Sequence, residues 1–167
     1  NLKVIRPCDM IETIESWEIA LETKSPTILA LTRQSLPTFK RESYNENLVN
    51  KRAYVIKNYP NYHASIFASG SEVEIAIDAS NKLQEKNIIL RVISFPSMEL
   101  FEHQDEQYKK EIIGEKQLFA VEAGVINGWE KYINHKNFIG MNSFGESGPY
   151  KDVYKHFGIT SDDICKK

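Results

Sequence analysis

Residues 64–95 read ASIFASGSEVEIAIDASNKLQEKNIILRVISF, and three elements follow one another inside them. Ala64 to Ser69 is an apolar run punctuated by Gly70, and Ser71-x-x-Glu74 offers a capping box for a helix. Val73, Ala76, Ile77, Ser80 and Leu83 fall on one helical face up to Asn87, after which Ile88 to Phe95 turns apolar again. Strand, helix and strand within about 30 residues make a βαβ unit, whose strands are parallel and whose crossover is right-handed.

Outward from this unit the pattern repeats. Toward the carboxyl end, Pro96-Ser97 leads into a charged helix around Met98 to Ile113, Leu118 to Glu122 and Phe138 to Met141 read as strands, and short helices span Pro149 to Phe157 and Thr160 to Cys165, with Gly158 as a C-cap between them. Toward the amino end, Ala53 to Ile56 is a further strand. Before it, Pro37 to Arg52 is polar without clear periodicity, as a linker is. Leu2 to Ile5 is a short strand closed by Arg6-Pro7, and Asp9-x-x-Glu12 opens a helix over 9–24, with Met10, Ile14, Trp17 and Leu21 on one face of a 3.6-residue period. Ser25-Pro26 stops it, and Thr27 to Thr32 is the near-continuous apolar run expected of a parallel strand covered on both faces. The fold class is therefore α/β: a three-layer domain with a mostly parallel sheet flanked by helices, preceded by a strand-helix-strand piece of another α/β domain.

The 167 residues are 41% hydrophobic and 26% charged, with 21 basic against 23 acidic side chains. A near-neutral charge without a long Lys/Arg run leaves no electrostatic footprint for nucleic acid, and no 18-residue apolar stretch is present to span a bilayer. The two cysteines, Cys8 and Cys165, have neither CxxC spacing nor the density of a secreted scaffold, and read as reduced thiols of a cytoplasmic protein. The sequence opens on a strand-like run without an initiator Met or signal-peptide layout, which reads as a chain beginning inside a longer one.

Ligands of open α/β sheets collect beyond the carboxyl ends of strands. Four such points stand out. Arg33-Gln34 follows the strand at 27–32, where a guanidinium suits a phosphate, a carboxylate or an interdomain salt bridge. Gly70-Ser71-Glu72 opens a helix, yet Glu72 and Glu74 repel a phosphate there, and the lone glycine is no GxGxxG. Glu122-Ala123-Gly124 has no His or second carboxylate beside it in sequence, which favours a capping or hydrogen-bonding role. Phe144 to Pro149 is glycine-rich but lacks the lysine of a P-loop and reads as a shaped turn. The run Glu102-His103-Gln104-Asp105-Glu106 lacks HExxH spacing and reads as a solvated helix face, and His63, His135 and His156 are isolated.

The runs Arg6-Pro7-Cys8-Asp9, Leu31-Thr32-Arg33-Gln34-Ser35-Leu36-Pro37, Ala68 to Val73, Val92 to Phe101, Val121 to Gly124 and Phe144 to Pro149 occur in an order that closely resembles the carboxyl-terminal part of transketolase, through the whole chain. What the resemblance implies is specific. Transketolases are homodimers that use thiamine diphosphate and a divalent cation, magnesium or calcium, to move a two-carbon ketol unit from a ketose phosphate to an aldose phosphate. Residues 1–40 correspond to the tail of the pyrimidine-binding domain, 41–52 to a linker and 53–167 to the carboxyl-terminal domain. The family's sugar-phosphate arginine falls on Arg33. Its catalytic and cofactor-binding groups lie upstream of Asn1, so no catalytic, cofactor or metal residue is assigned here, and neither bound cofactor nor turnover is expected of this chain alone. 1-Deoxyxylulose-5-phosphate synthase shares the domain order, but the Arg33 run and the Phe144 loop favour transketolase. A non-catalytic interaction or regulatory domain of the same fold and one subunit of a split transketolase are the other readings.

Overall fold

The computed structural model describes residues 2–41 and 44–167; Asn1, Glu42 and Ser43, the last two inside the expected linker, lie outside the described residues. Two sheets are present among them. The smaller pairs β1 (Lys3–Ile5) in parallel with β2 (Thr27–Leu29), joined through helix α1 (Met10–Glu22). The larger has five strands in the order β3-β5-β4-β6-β7, formed by β3 (Tyr54–Lys57), β4 (Ala64–Ala68), β5 (Leu90–Ser94), β6 (Gln117–Val121) and β7 (Phe138–Ile139). Only the edge strand β3 is antiparallel, and its register shifts between Val55 and Lys57. The mostly parallel α/β architecture expected from the sequence is the one observed.

The βαβ unit forms as read. β4 and β5 pair in parallel from Ala64 opposite Leu90 to Ala68 opposite Ser94, with α2 (Glu72–Gln84) between them. Successive β4 side chains point to opposite faces and both faces are covered, which is why the run is continuously apolar. Ile66 and Ala68 pack under α2 with Val73, Ala76, Ala79 and Leu83, while Phe67 faces an aromatic cluster of Phe95, Phe101 and Trp129, with the Phe67 and Phe95 rings 4.9 Å apart. After β6, two short 3-10 turns (129–131 and 135–137) lead to β7, and two helices, Tyr150–His156 (α5) and Ser161–Ile164 (α6), close the chain. Gly158, at φ +67°, ends α5 as the C-cap reading requires.

Several expectations need correction. The single helix over 98–113 is two, α3 (Met98–Phe101) and α4 (Glu106–Ile113), because Asp105 starts the second by accepting from the Tyr108 N–H at 2.9 Å. The Ser71-x-x-Glu74 capping box does not form: Ser71 is helical in φ and ψ and donates its hydroxyl to the Glu72 carboxylate at 2.8 Å instead. The polar segment read as a linker carries, among its described residues, two buried side chains, Arg41 and Val49, the latter in a 3-10 turn (Val49–Lys51).

The largest departure is the orientation of α1. The helix forms and Asp9 caps it through the Glu12 N–H at 2.8 Å, yet Met10, Ile14, Trp17 and Leu21 are all exposed, Leu21 at 79%. The buried face holds Glu12, Glu15, Ser16 and Ile19. Helical period identifies a stripe, but what lies opposite decides which stripe is covered. A stability contrast follows. Ile14→Glu and Leu21→Glu change unfolding free energy in urea by no more than about 0.5 kcal/mol, as for surface sites. Ile19→Ala, on the charged face, costs about 2 to 5 kcal/mol.

Candidate functional site

The carboxyl ends of β4 and β6 flank the point where the chain leaves the sheet in opposite directions: β4 connects to β5 on one side, and β6 follows on the other. In α/β sheets such a switch point opens a crevice for a ligand. Here the crevice holds a side chain of the first segment, Arg6. Its guanidinium donates to Glu72 Oε2 at 2.9 Å and to Ser69 Oγ at 3.1 Å, and forms an ion pair with Glu122. Ser69 in turn donates to Glu122 Oε2 at 2.9 Å. Glu72 is fully buried, and its second oxygen accepts from the hydroxyls of Ser71 and Tyr154, at 2.8 and 2.6 Å. Burial, followed by the charge of Glu72 and its hydrogen bond, pushes the Tyr154 phenol well above its ordinary pKa, so it stays a donor.

Three of the four strand-end points contribute residues to one groove. The groove, of about 360 Å³, is lined by Arg6, Thr32, Gln34, Gly70, Ser71, Glu146 and Gly148. Glu122 sits next to it, paired with Arg6 and accepting from the Ser69 hydroxyl. Arg33, between two groove residues, is exposed, and among the described residues it makes no ion pair. The Phe144 loop is an exposed turn before α5, with Phe144 96% exposed. The histidines do not converge: His63 accepts from the Ile89 N–H through Nδ1, His103 bonds the Glu99 carbonyl, His135 lies 3.9 Å from Glu130, and His156 stacks edge-on against Phe157. Among the described residues no group of three His, Cys, Asp or Glu side chains could hold a metal ion, and no helix is long and apolar enough to cross a membrane.

A second polar assembly lies deeper in the same joint. Glu12, fully buried, accepts from the Cys8 N–H at 2.7 Å, the Tyr54 hydroxyl at 2.7 Å and the Ser94 hydroxyl at 2.5 Å. Arg41 donates to Glu15 at 2.7 Å and to Asp9 at 3.3 Å, with its guanidinium 5.5 Å from the centre of the Tyr54 ring. Both cysteines are free; burial pushes the Cys8 thiol up, and the carboxylates of Glu12 and Asp9 add to it. Arg6, Glu12 and Arg41 were not recognised as joint residues in the sequence. Arg6 sits in an Arg-Pro pair that reads as a strand stop, Glu12 satisfies a capping pattern, and Arg41 lies in a polar stretch.

Burial raises the Glu12 carboxyl pKa even though the three donors favour the charged form. The folded state then binds a proton that the unfolded state, near pH 4.3, releases, so ∂ΔG/∂pH is negative over that window. In the unfolding free energy, measured in urea from about pH 4 to 7, Glu12 therefore contributes stability that is lost as pH rises, opposite in sign to the contributions of Asp78, Glu102 and Asp163, whose pKa values are lowered. Glu12→Gln should remove that contribution, and an unaltered slope in that variant would rule out Glu12 as its cause.

Comparison with known proteins places this geometry. Residues 53–160 match the model of the transketolase-like TK C-terminal domain. The chain is 45% identical over 168 residues to a transketolase of Sinorhizobium medicae, covering 98% of this chain and 24% of that protein. The crystal structure of a transketolase from Leishmania mexicana superposes with a TM-score of 0.88 at 38% identity, over 99% of this chain and 24% of the other. A Pichia stipitis transketolase in complex with sedoheptulose-7-phosphate gives a TM-score of 0.90 at 34% identity, again over 99% and 24%. The chain thus spans about a quarter of the length of these relatives.

Proposed function

The chain belongs to the transketolase family, and we propose that it is the carboxyl-terminal part of an enzyme that transfers a two-carbon ketol unit from a ketose phosphate to an aldose phosphate with thiamine diphosphate and a divalent cation. On this reading residues 1–40 end the pyrimidine-binding domain, 41–52 link it and 53–167 form the carboxyl-terminal domain of a cytoplasmic homodimer.

The observation that carries the reading is Arg33: a guanidinium just beyond a parallel strand, exposed, beside a groove, with no carboxylate paired to it among the described residues. A fork of donors in that position suits the phosphate of a sugar phosphate, which it binds with two charge-assisted hydrogen bonds. The solved Pichia stipitis relative, whose partner is a sugar phosphate, supports the same substrate class. The residues of this chain do not fit the cofactor. The switch-point crevice is filled by Arg6, the carboxylates of Glu72 and Glu122 around it repel a diphosphate, and no metal-ligand cluster exists among the described residues. The ketol chemistry belongs to the part of the family polypeptide outside these residues. This chain contributes a phosphate anchor and the scaffold that carries it.

Two measurements test this. The purified 167-residue chain, given a ketose phosphate, an aldose phosphate, thiamine diphosphate and magnesium, should show no ketol transfer; measurable turnover would overturn the division of labour. In the intact enzyme, Arg33→Ala should lower kcat/KM for a phosphorylated acceptor by about 10- to 150-fold, the equivalent of about 1.5 to 3 kcal/mol for a hydrogen bond to a charged group. An equal loss with an unphosphorylated acceptor would count against the phosphate contact.

A further inference from the structure

Arg6 is tied more heavily than a strand-end residue needs to be. Its N–H donates to the Pro96 carbonyl at 2.8 Å and its own carbonyl accepts from the Gly70 N–H at 3.0 Å. Its guanidinium reaches Ser69, Glu72 and Glu122. Three loops, those following β4, β5 and β6, therefore grip one residue. Gly70, at φ +54°, lets the backbone pass close to the guanidinium: a Cβ there would sit 3.4 Å from Arg6 Nη2. The acceptors are fixed before Arg6 arrives, since Tyr154 and Ser71 hold Glu72, and Ser69 holds Glu122. A planar guanidinium can address acceptors on several sides at once, which an ammonium on a flexible stem cannot.

What Arg6 holds is the strand pair that carries Arg33. β1 ends at Ile5, directly before Arg6, and Ile5 lies opposite Leu29 of β2. The Ile5 carbonyl accepts from the Ala30 N–H at 2.9 Å. Beyond Ala30 the chain has no regular structure, and Leu31, Thr32 and Gln34 line the groove that Arg6 borders. The position of Arg33 relative to the larger sheet thus runs through Arg6.

We propose that Arg6 is the positioning residue for Arg33, its guanidinium filling the switch-point crevice so that the segment 30–34 is held at the rim of the groove. The proposal rests on the reading of Arg33 as the phosphate anchor. Arg6 itself touches no substrate. Its loss lets the 30–34 segment shift, so phosphorylated acceptors bind less well while the chemistry of the transfer stays intact.

The test uses the intact enzyme, with an aldose phosphate and an unphosphorylated aldose as alternative acceptors. Arg6→Ala should raise KM for the phosphorylated acceptor about tenfold, or about 1.4 kcal/mol, with kcat within about twofold and a much smaller change for the unphosphorylated one. Ethylguanidinium at millimolar concentration should restore the lower KM by refilling the crevice, while ethylammonium should not. Arg6→Lys should resemble Arg6→Ala more than the parent. If Arg6→Ala does not fold, Glu122→Gln, which weakens the same grip, should give the same acceptor-selective rise. Equal effects on both acceptors, an unchanged KM, or rescue by ethylammonium as good as by ethylguanidinium would overturn the proposal. Arg33→Ala, run in parallel, separates the two ideas. If it does not discriminate between the acceptors, the phosphate-anchor reading fails; if it does and the Arg6 variants do not, the positioning role alone fails.

Discussion

Within this chain helix α1 turns carboxylates toward the larger sheet, and their charges are satisfied by residues of the chain itself. Asp9, Glu12 and Glu15 lie on a covered face, where an unpaired charge would cost several kcal/mol. The partners are drawn from distant parts of the chain: Arg41 from the segment after β2, Tyr54 from β3 and Ser94 from β5. Buried ion pairs add little net stability over well-packed hydrocarbon, but they penalise every arrangement in which a partner is missing. An apolar face would tolerate α1 sliding or rotating against the larger sheet. A face of three carboxylates with matched donors does not.

The same constraint accounts for what could be read in advance. The βαβ unit at 64–95 was legible because strand runs, helix period and connection length agree, and one face of β4 is covered by the unit's own helix. Helix α1 was legible as a helix from its period and cap. Its orientation was not, because Met10, Ile14, Trp17 and Leu21 define a stripe without saying what faces it. Caps misled where side chains found better partners: the Ser71 hydroxyl turns to Glu72 and Tyr154, and Glu72, read as a complement to the helix dipole, is a counter-ion of Arg6. The break at 102–105 between α3 and α4 was hidden because Asp105 reads equally as a charged position on a solvated helix.

The candidate site divides similarly. Inspecting strand ends located four points independently; residues of three of them line one groove, and the fourth, at Glu122, is joined to it through Arg6. The residue at the centre of that neighbourhood comes from the other sheet, 63 residues before Ser69 and 66 before Glu72, and no spacing rule connects positions so far apart. Arg33 is the reverse case. Its chemistry depends on the absence of a counter-ion, and a sequence cannot show which carboxylates an arginine will miss.

The parallel pairing of β1 with β2 also has a consequence in time. Each strand has three residues, and two such strands cannot sustain a sheet alone. Their anchor is the Arg6 grip, whose first partners are synthesised 63 to 66 residues later, a delay of roughly 3 to 13 s at about 5 to 20 residues per second. Through that interval the Arg6 guanidinium is without the acceptors that tie the β1–β2 pair to the larger sheet. The strand pair is made before the loops that grip it. Its exposure to wrong partners is set by the speed of translation through the loop after β4.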